Sequence, residues 1–355
     1  MSICGCFHET QCSQSTGDPI LCRPKSKYKP NSQEVKRKGL RIPLHTRFKK
    51  LVTEFILLGL TENPALNIVL FVLFLLIYVI TVVGNVWIIM VIVSSDQLHS
   101  PKYFFLSHLA FLDFCYSSVF IPKMLLNYLA GQRVISYHGC LLQYSFVSLF
   151  LTTECFLLAA MAYDRYLAIC YPLHYKGLMT PIFCTCLVTT SYLLGCANSL
   201  THLSGLLRLS FCGPNVIDHY FCDIPLLFRL SCSDSHHSEL LFLILSGATS
   251  VTTFLLVASS YLGILIMVLK MNSSRGRYKA LCTCSSHLTV VTLFYGTVMS
   301  TYLGTSAHYQ QDREKILSVF YTLLLPILNL LIYSIRNREA KEAMKRIIKR
   351  KILSH

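Results

Sequence analysis

From Asn63 to Ser95 the chain runs without a single charged side chain. That is longer than the roughly 20 residues an α-helix needs to cross about 30 Å of hydrocarbon. Six further uncharged or nearly uncharged runs follow, so membrane spans are predicted at about 65–93, 103–126, 138–163, 182–204, 239–270, 280–304 and 316–335. Each run is apolar on all sides rather than along one stripe, which suits a helix bounded by lipid and by other helices. The alternation over about ten residues that marks a membrane β-strand is missing. The pattern predicts an all-α membrane protein, a seven-transmembrane helix bundle over residues 51–337.

Composition agrees with the pattern. The chain is 53% hydrophobic and 14% charged, with a mean hydropathy of +0.52, whereas soluble domains carry about 25% charged residues. The formal charge of +15 is concentrated at the two termini. Basic ends on an apolar body point to lipid headgroups or an acidic partner, and no aromatic-interleaved basic platform for nucleic acid is visible. Residues 338–355 form a basic tail, and Lys270, Arg275, Arg277 and Lys279 add charge between the fifth and sixth spans. The loops on the other side are poorer in Lys and Arg. The tail is therefore expected in the cytoplasm and the N-terminus outside. Residues 1–50 run against this rule, with eleven Lys and Arg on the expected outer side. They are read as an atypical basic, cysteine-containing extension without a fixed fold.

Charged groups inside the spans are few and carry the candidate chemistry. Asp113 and Glu154 are the carboxylates deep in predicted spans, and an ionisable side chain in hydrocarbon is a functional candidate by default. Asp164 and Arg165 close the third span in the stretch MAYDRYLAIC (161–170), where the arginine can snorkel to the interface or pair with its neighbour. Cys140, Cys212, Cys222 and Cys232 lie in polar connections and are disulfide candidates, with three connectivities open.

The segments VTEFILLGL (52–60), LHSPKYFFLSHLAFLD (98–113), MAYDRYLAICYPLHY (161–175), KALCTCSSHLTVV (279–291), FYGT (294–297) and PILNLLIYSIRN (326–337), with Gly84-Asn85 and Ser260-Tyr261, resemble the olfactory receptors of the rhodopsin-like G-protein-coupled family. The likeness runs from about Val52 to Lys349. It implies a short amphipathic C-terminal helix after span seven. It implies an odorant receptor, not an enzyme, in the plasma membrane among lipids, whose partners are a small volatile odorant and a heterotrimeric G protein of the stimulatory, olfactory type that raises cyclic AMP. By the same resemblance Asp164, Arg165, Tyr166, Tyr261, Lys279, His287, Asn329 and Tyr333 form the activation switch. Cys140 pairs with Cys222 and Cys212 with Cys232. A sodium ion is expected at Asp113 and Glu154, near Asn85 and Asn329, or else a shared proton; no other cofactor is implied. The odorant is expected among Val147, Ser148, Leu151 and Thr152 of span three, Phe242, Ser246 and Thr249 of span five, and Tyr295, Val298 and Tyr302 of span six. Mostly apolar lining with a few hydroxyls suits a small hydrophobic molecule bearing one oxygen function.

Two positions depart from the family pattern: Lys102, where an apolar residue is usual and a lysine is easily placed at an interface, and Leu330. Leu330 stands where a second proline of span seven is usual, restoring a backbone N–H and a straighter helix. A folded but signalling-impaired receptor is therefore the alternative reading. A transporter or channel is disfavoured, because no inverted repeat or broken helix pair is visible.

Overall fold

A computed structural model of the chain describes residues 52–61, 63–131, 133–211, 215–302 and 310–335, together with Glu342 and Arg346. The expectation about residues 1–50 therefore falls outside the described residues. Long helices form where the uncharged runs lie: α1 (Pro64–Val93), α2 (Pro101–Ala130), α3 (Tyr137–Cys170), α5 (Pro181–Leu206), α7 (His236–Lys270) and α8 (Ser274–Tyr302). The last, in two parts, comprises α9 (Gln310–Val319) and α10 (Leu325–Ile335). Two short helices, α4 (Tyr175–Leu178) and α6 (Ile224–Leu230), sit in connections. Among the described residues six helices are long and apolar enough to cross a membrane. Helix α8 completes the bundle against α3, α7 and α10 and is more polar, with Arg275, Arg277 and Lys279 in its first turns. Beyond Ile335, Glu342 and Arg346 are helical, and the rest of the expected C-terminal helix lies outside the described residues.

Local chemistry fixes where these helices begin. Pro64, Pro101 and Pro181 occupy first turns, where the missing N–H leaves no intrahelical bond unmade. Asn63, Ser136 and Thr180 cap α1, α3 and α5 by accepting from Ala65, Gly139 and Phe183 N–H groups at 3.0, 3.1 and 3.3 Å. Such a side-chain cap contributes about 1 kcal/mol. The helices overrun the predicted spans, so Asp164 and Arg165 do not end α3 but lie six and five residues inside it.

Helix α3 is the most enclosed, and its seam with α5 is built from small and polar residues. Ser199 Oγ donates to the Ser145 carbonyl at 2.6 Å. Asn198 Nδ2 donates to Thr152 Oγ1 at 2.9 Å. A Cβ at Gly195 would meet Thr153 Oγ1 and lie 2.8 Å from the Leu149 carbonyl oxygen, so only glycine permits this approach. Close backbone contact and interhelical hydrogen bonds replace the hydrophobic drive that is missing between helices in lipid.

Between α9 and α10 the chain makes one π turn, Phe320–Leu324, in which the Leu325 N–H reaches back to the Phe320 carbonyl. Pro326 follows immediately; its ring would clash with the carbonyl four residues back in a regular α-helix, and a wider turn relieves such a clash. From there α10 is continuous through Leu330, as its restored N–H predicts. Leu330 is buried and its methyl groups fill the space a Gly84 side chain would take.

One end of the bundle carries a lid. Strand β1 (Glu54–Leu57) pairs antiparallel with β2 (Val134–Ser136) and parallel with β3 (Val216–Ile217), giving the order β2-β1-β3. Phe55, Leu57, Ile135, Ile217 and Leu227 bury together with Cys140 and Cys222, which are disulfide-bonded. Arg133 donates to the carbonyls of Leu58 and Thr61. Gln143 Oε1 accepts from the Cys222 N–H at 3.0 Å. Cys232 is also disulfide-bonded; its expected partner Cys212 lies outside the described residues.

The lid is tied to α9 and the π turn after it by a polar strap. Asp218 pairs with Lys315, His219 Nε2 meets Ser318 Oγ at 3.2 Å, and Tyr220 OH meets Thr322 Oγ1 at 2.7 Å. Burial and the nearby Lys315 push the His219 imidazole down to about 3.

Two stability predictions follow from this packing. Gly195→Val lowers the thermal midpoint of the solubilised protein at a cost of about 1–3 kcal/mol. Gly247→Ala, inside α7 at a site with nothing within 4 Å, leaves it unchanged or raises it slightly; an equal loss in the two would refute the close-seam account. His219 is neutral when folded, whereas the unfolded chain takes up a proton near its ordinary value of about 6.5. Stability contributed by keeping this ring neutral is thus full at higher pH and is lost as pH falls from about 6.5 towards 3. Thermal melts at about pH 7 and pH 5 should show a loss on the order of 2 kcal/mol in the wild type and a smaller one in His219→Gln. Parallel pH dependence in the two proteins rules the effect out.

Candidate functional site

Beneath the lid, α3, α5 and α7 leave a cavity of about 170 Å³. An apolar cavity of about 150 Å³ accepts a molecule the size of benzene. Helix α3 contributes Val147, Ser148, Leu151 and Thr152, and α7 contributes Phe242, Ser246 and Thr249, all seven as expected from the sequence. Tyr295 of α8 is not in this lining. It is buried against Phe254 and Phe294, with centroids 5.5 and 5.3 Å away. The side chains of Val298 and Tyr302 lie outside the described residues.

The sequence reading missed the α5 wall, where Asn198 and His202 also face the cavity, and the lid contribution of Phe221, Asp223 and Pro225. A signal for the first was present. Gly195, Asn198 and His202 recur at helical spacing in an otherwise apolar run, which puts them on one face. His202 is buried, with Nδ1 3.0 Å from Tyr144 OH and 3.3 Å from Ser148 Oγ.

Deeper in the bundle, Asn329 of α10 joins two acids. Its Nδ2 donates to Asp113 of α2 at 3.2 and 3.3 Å and to Glu154 of α3 at 3.5 Å. All three are buried. Asn85, expected near this cluster, is buried and its amide donates to the Thr81 carbonyl within α1 at 2.9 Å. Asn329 Oδ1 is buried without a partner, but it is the amide nitrogen that faces the acids, so the two carboxylates are the oxygen ligands a hard cation would find here. Two buried negative charges otherwise need a proton.

At the end away from the lid, Asp164 holds Arg165. Nε donates to Asp164 Oδ2 at 2.9 Å, a second guanidinium nitrogen meets the same oxygen, and Tyr175 OH donates to Oδ1 at 2.6 Å. Both members of the ion pair are buried. Tyr261 OH meets His287 Nδ1 at 2.7 Å, with the two rings stacked at 5.9 Å. Tyr166 packs beside them, its ring filling the space over Gly263. The structure thus brings Asp164, Arg165, Tyr166, Tyr261 and His287 to one end. Lys279 is exposed there, and the side chain of Tyr333 is outside the described residues. The sequence did not anticipate Tyr175, whose role depends on α4 folding back under α3.

Comparison with known proteins now places the chain. The olfactory receptor family profile matches residues 74–351. Olfactory receptor 5AR1 of Mus musculus is 48% identical over 301 residues, covering 85% of this chain and 97% of that one. Olfactory receptor 5P3 of Homo sapiens is 51% identical over 303 residues, covering 85% and 97%. The crystal structure of squid rhodopsin superimposes with a TM-score of 0.64 at 16% identity, covering 81% of this chain and 87% of that one, a likeness of fold. The chain is a multi-pass membrane protein of the rhodopsin-like G-protein-coupled class, a signalling receptor and not an enzyme, and it belongs to the olfactory receptor family.

Proposed function

We propose that this chain is an odorant receptor that binds a small volatile hydrophobic ligand in the lidded cavity and activates a stimulatory, olfactory-type G protein, raising cyclic AMP. The observation that carries this reading is the pairing of two features on one helix. Helix α3 lines the cavity at its lidded end and holds the buried Asp164–Arg165 pair at the other. Movement of α7 and α8 relative to α3 would exchange the partners of Arg165, Tyr261 and His287, the kind of discrete repacking that carries a signal. On this reading the lid faces outward, Asp164 and Arg165 face the cytoplasm, and the protein resides in the plasma membrane among lipids. The charge asymmetry of the loops supports that orientation.

Asp113 and Glu154, with Asn329, are proposed to hold a sodium ion, or failing that a shared proton, in the resting state. The two buried carboxylates, both within reach of Asn329, support this. The cation would hold α2, α3 and α10 together at mid-bundle, and its loss would release them.

The second reading, a folded receptor with an impaired switch, is favoured by Leu330. Continuous α10 and the Leu330–Gly84 contact remove the flexible point a proline would give. Cyclic AMP measured in cells carrying this chain and the matching G protein, with surface level quantified, separates the readings. Arg165→Ala abolishes the response to an activating odorant at equal surface level. A retained response would sink the latch. Tyr175→Phe removes a hydrogen bond from Asp164 and raises basal signalling, since losing about 1 kcal/mol from the resting arrangement shifts its population about fivefold. An unchanged basal level would show that Tyr175 does not restrain the pair. If the wild type is silent while Leu330→Pro responds, the impaired-switch reading is the correct one.

A further inference from the structure

We propose that Ser246, Thr249 and Ser250 of α7 form the polar anchor of the cavity, and that the cavity selects a small neutral alcohol or phenol whose hydroxyl donates to one of their oxygens. This rests on the reading of the cavity as the ligand site and names the chemistry that the site selects.

All three residues line the cavity. They stand at positions i, i+3 and i+4, which share one face of a helix. A serine or threonine inside a helix can turn its hydroxyl back to a carbonyl one turn earlier. Thr253, Ser259 and Ser260 of the same helix do so, donating to the carbonyls of Thr249, Leu256 and Leu256 at 2.7, 3.0 and 2.8 Å. The hydroxyls of Ser246, Thr249 and Ser250 meet no partner among the described residues. Their side chains are half-buried, and their oxygens are not among the sealed, unpartnered atoms of the bundle. The facing wall is already engaged. Ser148 Oγ and Thr152 Oγ1 of α3 take hydrogens of the Asn198 amide at 3.4 and 2.9 Å, and Ser148 also meets His202. The hydroxyl face of α7 is thus what the cavity offers to a ligand.

The class of ligand follows without placing a single hydrogen. A hydroxyl oxygen carries two lone pairs and keeps one for the cavity whichever way its own hydrogen turns. A ligand O–H therefore finds an acceptor in every rotamer. A ketone or ether is answered only when a hydroxyl hydrogen points into the cavity rather than back to the helix. Charge narrows the class further. The lining holds no lysine or arginine and includes Asp223, so a carboxylate finds repulsion rather than a counter-ion. An ammonium group would pay to leave water at the depth of this face. Asp223 lies in the lid, where its Oδ1 accepts from the Ile224 N–H at 2.9 Å as the cap of α6. The volume of about 170 Å³ limits the frame to about the size of benzene. A site that hydrogen-bonds a hydroxyl rejects the analogue lacking it far more sharply than an apolar pocket discriminates by size.

The test uses the full-length protein with cyclohexanol and phenol, set against methylcyclohexane, toluene, cyclohexanone, cyclohexylamine and benzoate. Ligand-induced thermal stabilisation of the purified receptor reads binding, and cyclic AMP in cells reads signalling. In the wild type, the two hydroxyl compounds bind at least about fivefold more tightly than the hydrocarbons of matched size or the ketone. Combining Ser246→Ala, Thr249→Val and Ser250→Ala brings them to within about twofold of the hydrocarbons, whose own binding is retained. If that triple variant does not reach the surface, the three single variants are read separately, and at least one lowers the preference. Ser259→Ala, whose hydroxyl is bonded to its own helix outside the cavity, leaves the preference intact. A hydroxyl preference that survives loss of all three oxygens overturns the proposal. So does a ketone, amine or acid preference in the wild type, or a panel in which nothing binds. Val147→Phe, which fills the cavity, separates this proposal from the reading beneath it. Binding that survives Val147→Phe refutes the cavity as the ligand site, and the anchor with it. Binding lost in Val147→Phe but indifferent to the hydroxyl overturns the anchor alone.

Discussion

A polar side chain placed in hydrocarbon must find its answer inside the protein, because no water is there to supply one. That constraint organises this bundle around α3. Along its length α3 sets Gln143, Ser148, Thr152, Thr153, Glu154, Asp164 and Arg165 into buried positions. Five of them recruit a partner from another element, while Thr153 donates to the Leu149 carbonyl and Arg165 to Asp164 within α3. Gln143 takes a lid N–H, Ser148 and Thr152 take Asn198, Glu154 takes Asn329, and Asp164 takes Tyr175. The apolar surface of α1 and α7, by contrast, is largely exposed to the surroundings. The lipid-facing helices are specified by what they lack, and the central helix by what it must pair.

These pairings divide α3 into stations separated by apolar turns. The cavity occupies the first, the Asp113–Glu154–Asn329 cluster the second, and the Asp164–Arg165 pair the third. Polar groups confined in low dielectric are satisfied in one arrangement or in a distinct alternative, with little in between. Such a column is suited to passing a change from one end of the helix to the other in discrete steps.

Much of this was legible in the sequence, and the legible parts share a cause. Apolar runs fix the spans because hydrophobic length is a one-dimensional property, and seven of the cavity residues on α3 and α7 are ones the family resemblance implies. What stayed hidden depends on segments far apart in the chain. The lid strand β1 takes its two partners from residues 134–136 and 216–217, and four residues of EFIL carry no trace of that choice. Tyr175 is an ordinary loop tyrosine until α4 turns it towards Asp164. Nothing in the apolar run around His202 announces that its Nδ1 meets the hydroxyls of Tyr144 and Ser148 on α3. Several helices run beyond the predicted spans for a simpler reason: α-helical hydrogen bonding continues past the hydrocarbon boundary, which the loss of apolar residues marks but does not enforce.

The π turn at Phe320–Leu324 has a consequence for everything beyond it. A turn closed from residue i to i+5 holds one residue more than an α-turn, and each residue advances a helix by about 100°. The inserted residue therefore sets the azimuth of α10. With it, Asn329 points to Asp113 and Glu154 while Leu330 packs over Gly84. Were the same stretch wound as regular α-helix, the face now turned to the two carboxylates would rotate by more than a quarter turn, and a leucine's methyl groups would swing towards buried charge. The fit of α10 to α1 and α2 is thus a matter of angular phase, set by a single extra residue two turns away from the contacts it aligns.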